Sequence, residues 1–179
     1  MADDAKVLRE VGGRRLLDLV LDACAHAARV VVVGPETTVN RPVTWAREDP
    51  PGGGPVAGLR AGFPAVRSGR VALLAGDLPF LRAHDVDLLG LLAHTPSTGG
   101  VLVDDRGREQ WLAGVWRVDA LATALEGYTG DSLHGLLRPL RPRPLGVFAA
   151  GRPRPWLDCD TPEELARAER LLAAGSGTP

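Results

Sequence analysis

The stretch "VALLAGDLPFL" (71–81) carries a run of apolar and small residues into Gly76 and Asp77, with Pro79 two positions later. An ionised carboxylate at the end of a buried strand is costly unless something pairs with it. Capping of the following turn accounts for a polar residue at this point, but not for Asp-Leu-Pro-Phe directly after such a strand. A cation ligand does, since Mg2+ is usually held by one or two carboxylates together with substrate phosphates. "WLDCDTPEEL" (156–165) offers a second carboxylate, Asp158 or Asp160. The two alternate, so in extended backbone only one of them faces the site; Asp160 also reads plainly as a helix-entry residue. A third segment, "EDPPGGGPVAGL" (48–59), has Gly52, Gly53, Gly54 and Gly58, which let backbone come close to a ligand and present N–H groups to it. Its plain alternative is a flexible turn leading into a helix.

The elements that must position these groups alternate along the chain. "LLDLVLDACAHA" (16–27) puts Leu16, Leu19, Val20 and Ala23 on one helical face. "RVVVVG" (29–34) is a β-branched run stopped by Gly-Pro and predicts a buried strand. A loop-rich stretch over 34–55 follows, then a helix-like segment over 56–66. Residues 70–77 predict a second buried strand and 85–94 a helix. A strand, a turn at Asp105-Arg106-Gly107 and a returning strand come next, then helices over 118–127 and 132–140 and a strand over 145–150. The chain closes on the clearest helix, with Thr161 as N-cap, Pro162 at its first position, Glu164 at the third and Gly175 as the stop. Repeated strand–helix units predict a three-layer α/β domain with a mostly parallel sheet, in which 30–33 and 71–74 are neighbouring interior strands. In such sheets ligands bind beyond the carboxyl ends of the strands, the edge that holds Asp77.

The bulk numbers narrow the function. At 179 residues the chain is long enough for one substantial core. We expect a single domain over 1–174 and a flexible tail over 175–179. With 21 basic against 22 acidic residues the net charge is -1, which gives no overall bias toward nucleic acid or an anionic membrane. The purely apolar runs, such as 30–33, are far short of a membrane span. Cys24 and Cys159, the two cysteines, have no metal or redox spacing. With no secretory signal, reduced thiols in the cytoplasm are the expectation.

"EVGGRRLLDLVLDAC", "REDPPGGGPVAGLRAG", "LLAGDLPFL" and "LDCDTPEELARAERLL" follow one another in this order. Together they resemble the molybdenum cofactor guanylyltransferase family, nucleotidyltransferases with a Rossmann-like fold, over nearly the whole chain. The resemblance implies transfer of GMP from GTP to molybdopterin or molybdenum cofactor, with release of pyrophosphate and Mg2+ bridging the phosphates. It makes Asp77 the metal ligand and a catalytic residue, and Asp158 and Asp160 the polar pair that completes the metal site. It places the nucleotide against Asp49, Gly54, Pro55, Val56, Ala57 and Gly58. The alternatives are a CTP-using or sugar-phosphate nucleotidyltransferase of the same fold, or a non-catalytic relative that binds nucleotide or cofactor.

One departure stands out. The family opens with a strand and a loop of the form L-A-G-G-x-S/A-x-R-M-G-x-D-K, which holds the triphosphate and helps read the base. This chain begins "MADDAKVLREVGG". Alignment on V-G-G-R puts Lys6 on the family's catalytic, nucleotide-binding lysine and Ala5 on its aspartate. The expectation is weak GTP binding, with Lys6 on a mobile N-terminus and apolar surface left where a central strand would sit. "GREQW" (107–111) lies at a turn that would touch the acceptor, with Trp111 in place of the usual proline. Arg138, Arg141, Arg143, Arg152 and Arg154 interleave with prolines and read as a solvated, stiff connection or a patch for an anionic acceptor.

Overall fold

The computed structural model describes residues 6–94, 96–146 and 151–175. A 3-10 turn over Lys6–Leu8 leads into a small antiparallel pair, β1 (Glu10–Val11) and β2 (Arg14–Arg15), and then helix α1 (Leu16–Ala23). Strands β3 (Val31–Val33) and β4 (Thr44–Ala46) pair in parallel. Helix α2 (Gly54–Gly62) carries the chain back to β5 (Arg70–Leu74). After α3 (Ala83–Leu92) come β6 (Gly99–Val103) and β7 (Glu109–Arg117), the predicted strand and its return, joined by a turn in which Gly107 donates its N–H to Asp104. Helices α4 (Val118–Gly127) and α5 (Leu133–Leu137), strand β8 (Arg143–Leu145) and helix α6 (Pro162–Gly175) complete the chain.

The three layers follow from strand alternation. Along β5, Ala72 and Leu74 turn to one face, where Val20 and Ala23 of α1 and Leu89 of α3 cover them. Val71 and Leu73 turn to the other, against Val56 of α2, Leu121 and Leu125 of α4, and Leu136 and Leu137 of α5. A third apolar cluster ties Val11, Leu16 and Phe80 to Cys159 and to Ala168 of α6. Among the described residues, no helix is long and apolar enough to cross a membrane.

The main sheet is mostly parallel, as expected: in the order β5-β7-β6-β8, strands β5, β6 and β8 run the same way and the returning strand β7, bonded to β5 on one side and β6 on the other, runs against them. It differs from the expectation in its pairing, because 30–33 and 71–74 are not neighbours; β3 bonds β4, and β5 bonds β7. Among the described residues, β3 and β5 each have a hydrogen-bonded neighbour on one side only. Their apolar residues are correspondingly half-buried, and Val33 is 40% exposed. The parallel strand β4 falls within the expected loop, because three residues are too short to show a period. Helix α1 also ends earlier than its sequence pattern, at Ala23. Most of the strand expected over 145–150, and the tail beyond 175, lie outside the described residues.

Trp116 holds the middle of the sheet, fully buried against two glycines on neighbouring positions. A Cβ added at Gly99 would stand 2.7 Å from the Trp116 ring and 2.9 Å from the Val115 carbonyl oxygen. Neither partner has room to retreat. Gly99→Ala is therefore expected to destabilise the fold by about 1–3 kcal/mol through overpacking, read as a lower denaturation midpoint in urea.

Candidate functional site

Asp77 follows β5 after Ala75 and Gly76, and is only 6% exposed. Its partner within the chain is Lys6, whose ammonium bridges the Asp77 and Asp160 carboxylates. Lys6 is held in the 3-10 turn before β1, which corrects the expectation of a mobile segment. Gly76 makes this seat possible: a Cβ there would lie 2.9 Å from Val7 Cγ1, so only glycine lets the turn pack this closely beside Asp77. Asp160 is placed from the other side by the start of α6. Thr161 Oγ1 accepts from the Glu164 N–H at 3.2 Å, and Glu164 Oε2 accepts from the Thr161 N–H at 2.9 Å and the Asp160 N–H at 3.0 Å. That is the reciprocal cap read from the sequence, extended by one residue. It aims Asp160 at the Lys6 ammonium, so of the alternating pair Asp160 is the one that shares a cation with Asp77.

Asp158 and Cys159 feel the same charges. Shielding from water raises the Asp158 carboxyl above its ordinary range, and the negative charges of Asp77 and Glu164 add to this while Lys6 opposes it. The buried Cys159 thiol is pushed up to about 11, first by burial and then by Asp77, Asp158 and Glu164. At neutral pH it is a thiol, not a nucleophile.

The glycine-rich loop opens α2. Gly52 and Gly54 both adopt left-handed backbone, with φ of 82° and 83°, which glycine takes without strain. Glu48 Oε1 accepts from the Gly52 N–H at 3.1 Å, and hydrogen bonds from its own and the Gly52 N–H hold the Glu48 carboxyl below the usual range. Glu48 thus organises the turn, a role sequence reasoning missed, whereas Asp49 is exposed and its carboxylate has no protein partner among the described residues. Gly54 and Pro55 are exposed at the helix start. Val56 turns its side chain into the core, so only its backbone can meet a ligand. Ala57 is half-buried. Gly58 faces β3, where an added Cβ would stand at ordinary contact distance, 3.5 Å, from Val33. Because α2 runs back from the carboxyl end of β4 to the amino end of β5, its opening loop and Asp77 share one edge of the molecule.

Two further tethers were unreadable. Asp85, fully buried, accepts from the Arg82 N–H at 3.0 Å and from Arg152 Nη1 at 2.8 Å, and Arg152 Nη2 also donates to the Phe80 carbonyl at 3.3 Å. Arg154 donates to Asp105 at 3.2 Å and lies 5.7 Å from the Trp156 ring centre. These two arginines therefore bind the 151–156 segment to the rest of the fold, and Arg152 reaches the turn that follows Asp77. Arg138, Arg141 and Arg143 remain exposed or half-exposed on the connection into β8.

Two carboxylates converging on one ammonium make a fit for a hard divalent cation, since carboxylate oxygen is its preferred donor. Among the described residues no cluster of three or more His, Cys, Asp or Glu could enclose such an ion, so phosphate and water would complete its shell. Lys6→Met leaves Asp77 buried without a partner and is expected to cost about 1–3 kcal/mol. Millimolar Mg2+ should return most of that stability to the variant and add little to the wild-type chain. Thermal melts with and without Mg2+ check this; equal Mg2+ responses would show that no cation takes the place of Lys6.

Comparison with known proteins agrees with this architecture. Residues 1–145 match the MobA-like NTP transferase domain. A molybdenum cofactor guanylyltransferase from Bradyrhizobium sp. (strain ORS 278) is 29% identical over 185 residues, covering 97% of this chain and 87% of that protein. One from Rhodobacter capsulatus is 33% identical over 136 residues, 73% of this chain and 66% of that one. Among solved structures, molybdopterin-guanine dinucleotide biosynthesis protein A from Archaeoglobus fulgidus superposes with a TM-score of 0.64 at 18% identity, covering 94% of this chain and 90% of its own. The 2-C-methyl-D-erythritol 4-phosphate cytidylyltransferase from Thermus thermophilus does so at 0.67 and 19%, covering 94% and 93%. The layered fold thus agrees with the family match, and the chain belongs to the MobA-like NTP transferase family of nucleotidyltransferases.

Proposed function

We propose that the chain transfers GMP from GTP to the phosphate of molybdopterin or molybdenum cofactor. The observation that carries this reading is the convergence of Asp77 and Asp160 on one cation position at the carboxyl edge of β5. An oxygen of the acceptor phosphate forms a bond to the α-phosphorus of GTP. The bond from that phosphorus to its bridging oxygen breaks, and pyrophosphate leaves with the electron pair. Such a step asks for alignment and charge neutralisation rather than covalent participation of the protein. The protonated Cys159 is consistent with that, because it offers no competing nucleophile.

Asp77 and Asp160 would hold Mg2+, which when bound neutralises charge on the phosphates. Lys6 stands beside the same position and, on release from its carboxylates, offers its ammonium to a phosphate oxygen. The N–H groups of the exposed Gly53 and Gly54 would face ligand from the loop before α2, where the positive end of the helix favours an anion. A reducing cytoplasm suits the two free cysteines. A single domain suits the apolar clusters that join both faces of β5 to the helices. A CTP-using activity is the second reading, favoured by the likeness in fold to cytidylyltransferases.

The test measures pyrophosphate release with GTP or CTP, Mg2+ and the acceptor. It is run on the 179-residue chain and on a version carrying an upstream L-A-G-G-x-x-x-R segment, since of the longer form ending in D-K this sequence supplies the lysine, Lys6. Turnover is expected in the extended form, with GTP preferred over CTP roughly a hundredfold, the scale one set of base hydrogen bonds supplies. Asp77→Asn should abolish it and leave circular dichroism unchanged. Undiminished activity in that variant would remove Asp77 from the site, and a preference for CTP would decide for the second reading. Nucleotide binding without turnover in either form would favour the non-catalytic relative.

A further inference from the structure

The pairing of β6 with β7 breaks at one place. Val101 faces Gly114, but Leu102 faces Gln110, so residues 111–113 of β7 bulge away from β6. They stay attached to β5: Leu74 faces Ala113, and the Ala75 N–H donates to the Leu112 carbonyl at 2.7 Å. In a regular strand Trp111 and Trp116, five positions apart, point to opposite faces. The bulge puts them on the same face. Their ring centres are 6.3 Å apart and their planes 26° from parallel, and His134 of α5 meets Trp111 edge-on at 5.8 Å and 76°. Re-aiming a side chain in this way is a common use of bulges beside active sites.

The arrangement has a cost and leaves a surface. Trp116 Nε1 is buried with no hydrogen-bond partner, an expensive state for an indole N–H. Trp116 is fully buried behind, His134 is exposed at the edge, and Trp111 is half-buried, so the exposed part of its indole lies on the outer side of the stack. Leu112, the residue after Trp111, accepts through its carbonyl from the Ala75 N–H, two residues before Asp77. An aromatic face backed by a rigid neighbour therefore stands on the same edge as the paired carboxylates.

We propose that Trp111, held by Trp116 and His134, is the stacking platform for a planar fused heteroaromatic ring whose phosphate reaches the Asp77–Asp160 position. The identity of that phosphate ligand rests on the nucleotidyl-transfer reading above; the platform itself rests on the bulge and the stack. Two rings have this chemistry, the pterin of the acceptor and the purine of the nucleotide. Stacking suits both, because it reads a π-face rather than a hydrogen-bond pattern.

The experiment titrates the 179-residue chain with 6-hydroxymethylpterin and, separately, with GTP and Mg2+, by calorimetry. It is repeated on Trp111→Phe, Trp111→Leu and Trp111→Ala, with Asp77→Asn as a parallel control. Trp111→Phe should retain most of the affinity, and Trp111→Leu and Trp111→Ala should weaken it about tenfold or more, the loss expected for one stacked ring. A loss confined to the pterin assigns the platform to the acceptor, and a loss confined to GTP assigns it to the base. Trp111→Leu keeps apolar bulk in the stack, so it carries the test if Trp111→Ala does not fold. Wild-type affinities in Trp111→Leu for both ligands, or no binding of either ring by the wild-type chain, would overturn the proposal. Asp77→Asn separates the two readings: if nucleotidyl transfer is the wrong reading, the variant titrates with GTP and Mg2+ as the wild-type chain does, while the loss of pterin affinity in Trp111→Leu survives.

Discussion

A carboxylate buried at the end of a strand must be neutralised, and the Lys6 ammonium between Asp77 and Asp160 does this for three parts of the chain at once. It fastens the N-terminal turn to the end of β5 and both to the start of α6. Each part has to be built for the contact. Gly76 admits Val7 at close range, and the Thr161–Glu164 cap holds the backbone of Asp160. Two negative groups this close repel in the absence of a cation, and the Lys6 ammonium supplies that charge from within the chain.

The sheet explains why this edge is available. With β7 bonded on both sides, β5 has its end fixed in register against Leu112, Ala113 and Gly114. The same strand leaves β6 at 111–113, where Trp111 packs against Trp116 and His134. Strand pairing thus fixes an acid at the end of one strand and an aromatic stack on the next. Nothing in this requires long loops, which is why the two groups sit on well-packed elements rather than on mobile ones.

A second buried ion pair supports the first at a distance. Asp85 is fully buried and would be strongly destabilising if left unpaired. Arg152 pairs with it and donates to the Phe80 carbonyl, which links the turn after Asp77 to the 151–156 segment that runs on toward Asp158 and Asp160. The two segments that bring carboxylates to the site are thereby held to each other twice, once at the site and once behind it.

The elements that were legible in the sequence are those governed by neighbours in the chain. The α6 cap is complete within four residues, the hairpin turn at 105–107 is set by its own glycine, and the run into Gly76 and Asp77 marks a strand end with an acid at its tip. The acid at 77 and the loop before α2 were readable for the same reason, their meaning being local in spacing and residue type. What the tertiary structure decided is every pairing across long separations. Lys6 meets Asp160, Asp85 meets Arg152, and Asp160 rather than Asp158 shares the cation position with Asp77. Strand order belongs here too: an apolar β-branched run says that a strand is buried, and 31–33 and 70–74 satisfy that pattern equally well with any partner. The bulge that turns Trp111 toward Trp116 lies furthest from reach, because it depends on a mismatch in register between two strands at once. Periodicity within one segment records which residues want burial; only the packed chain settles what they are buried against.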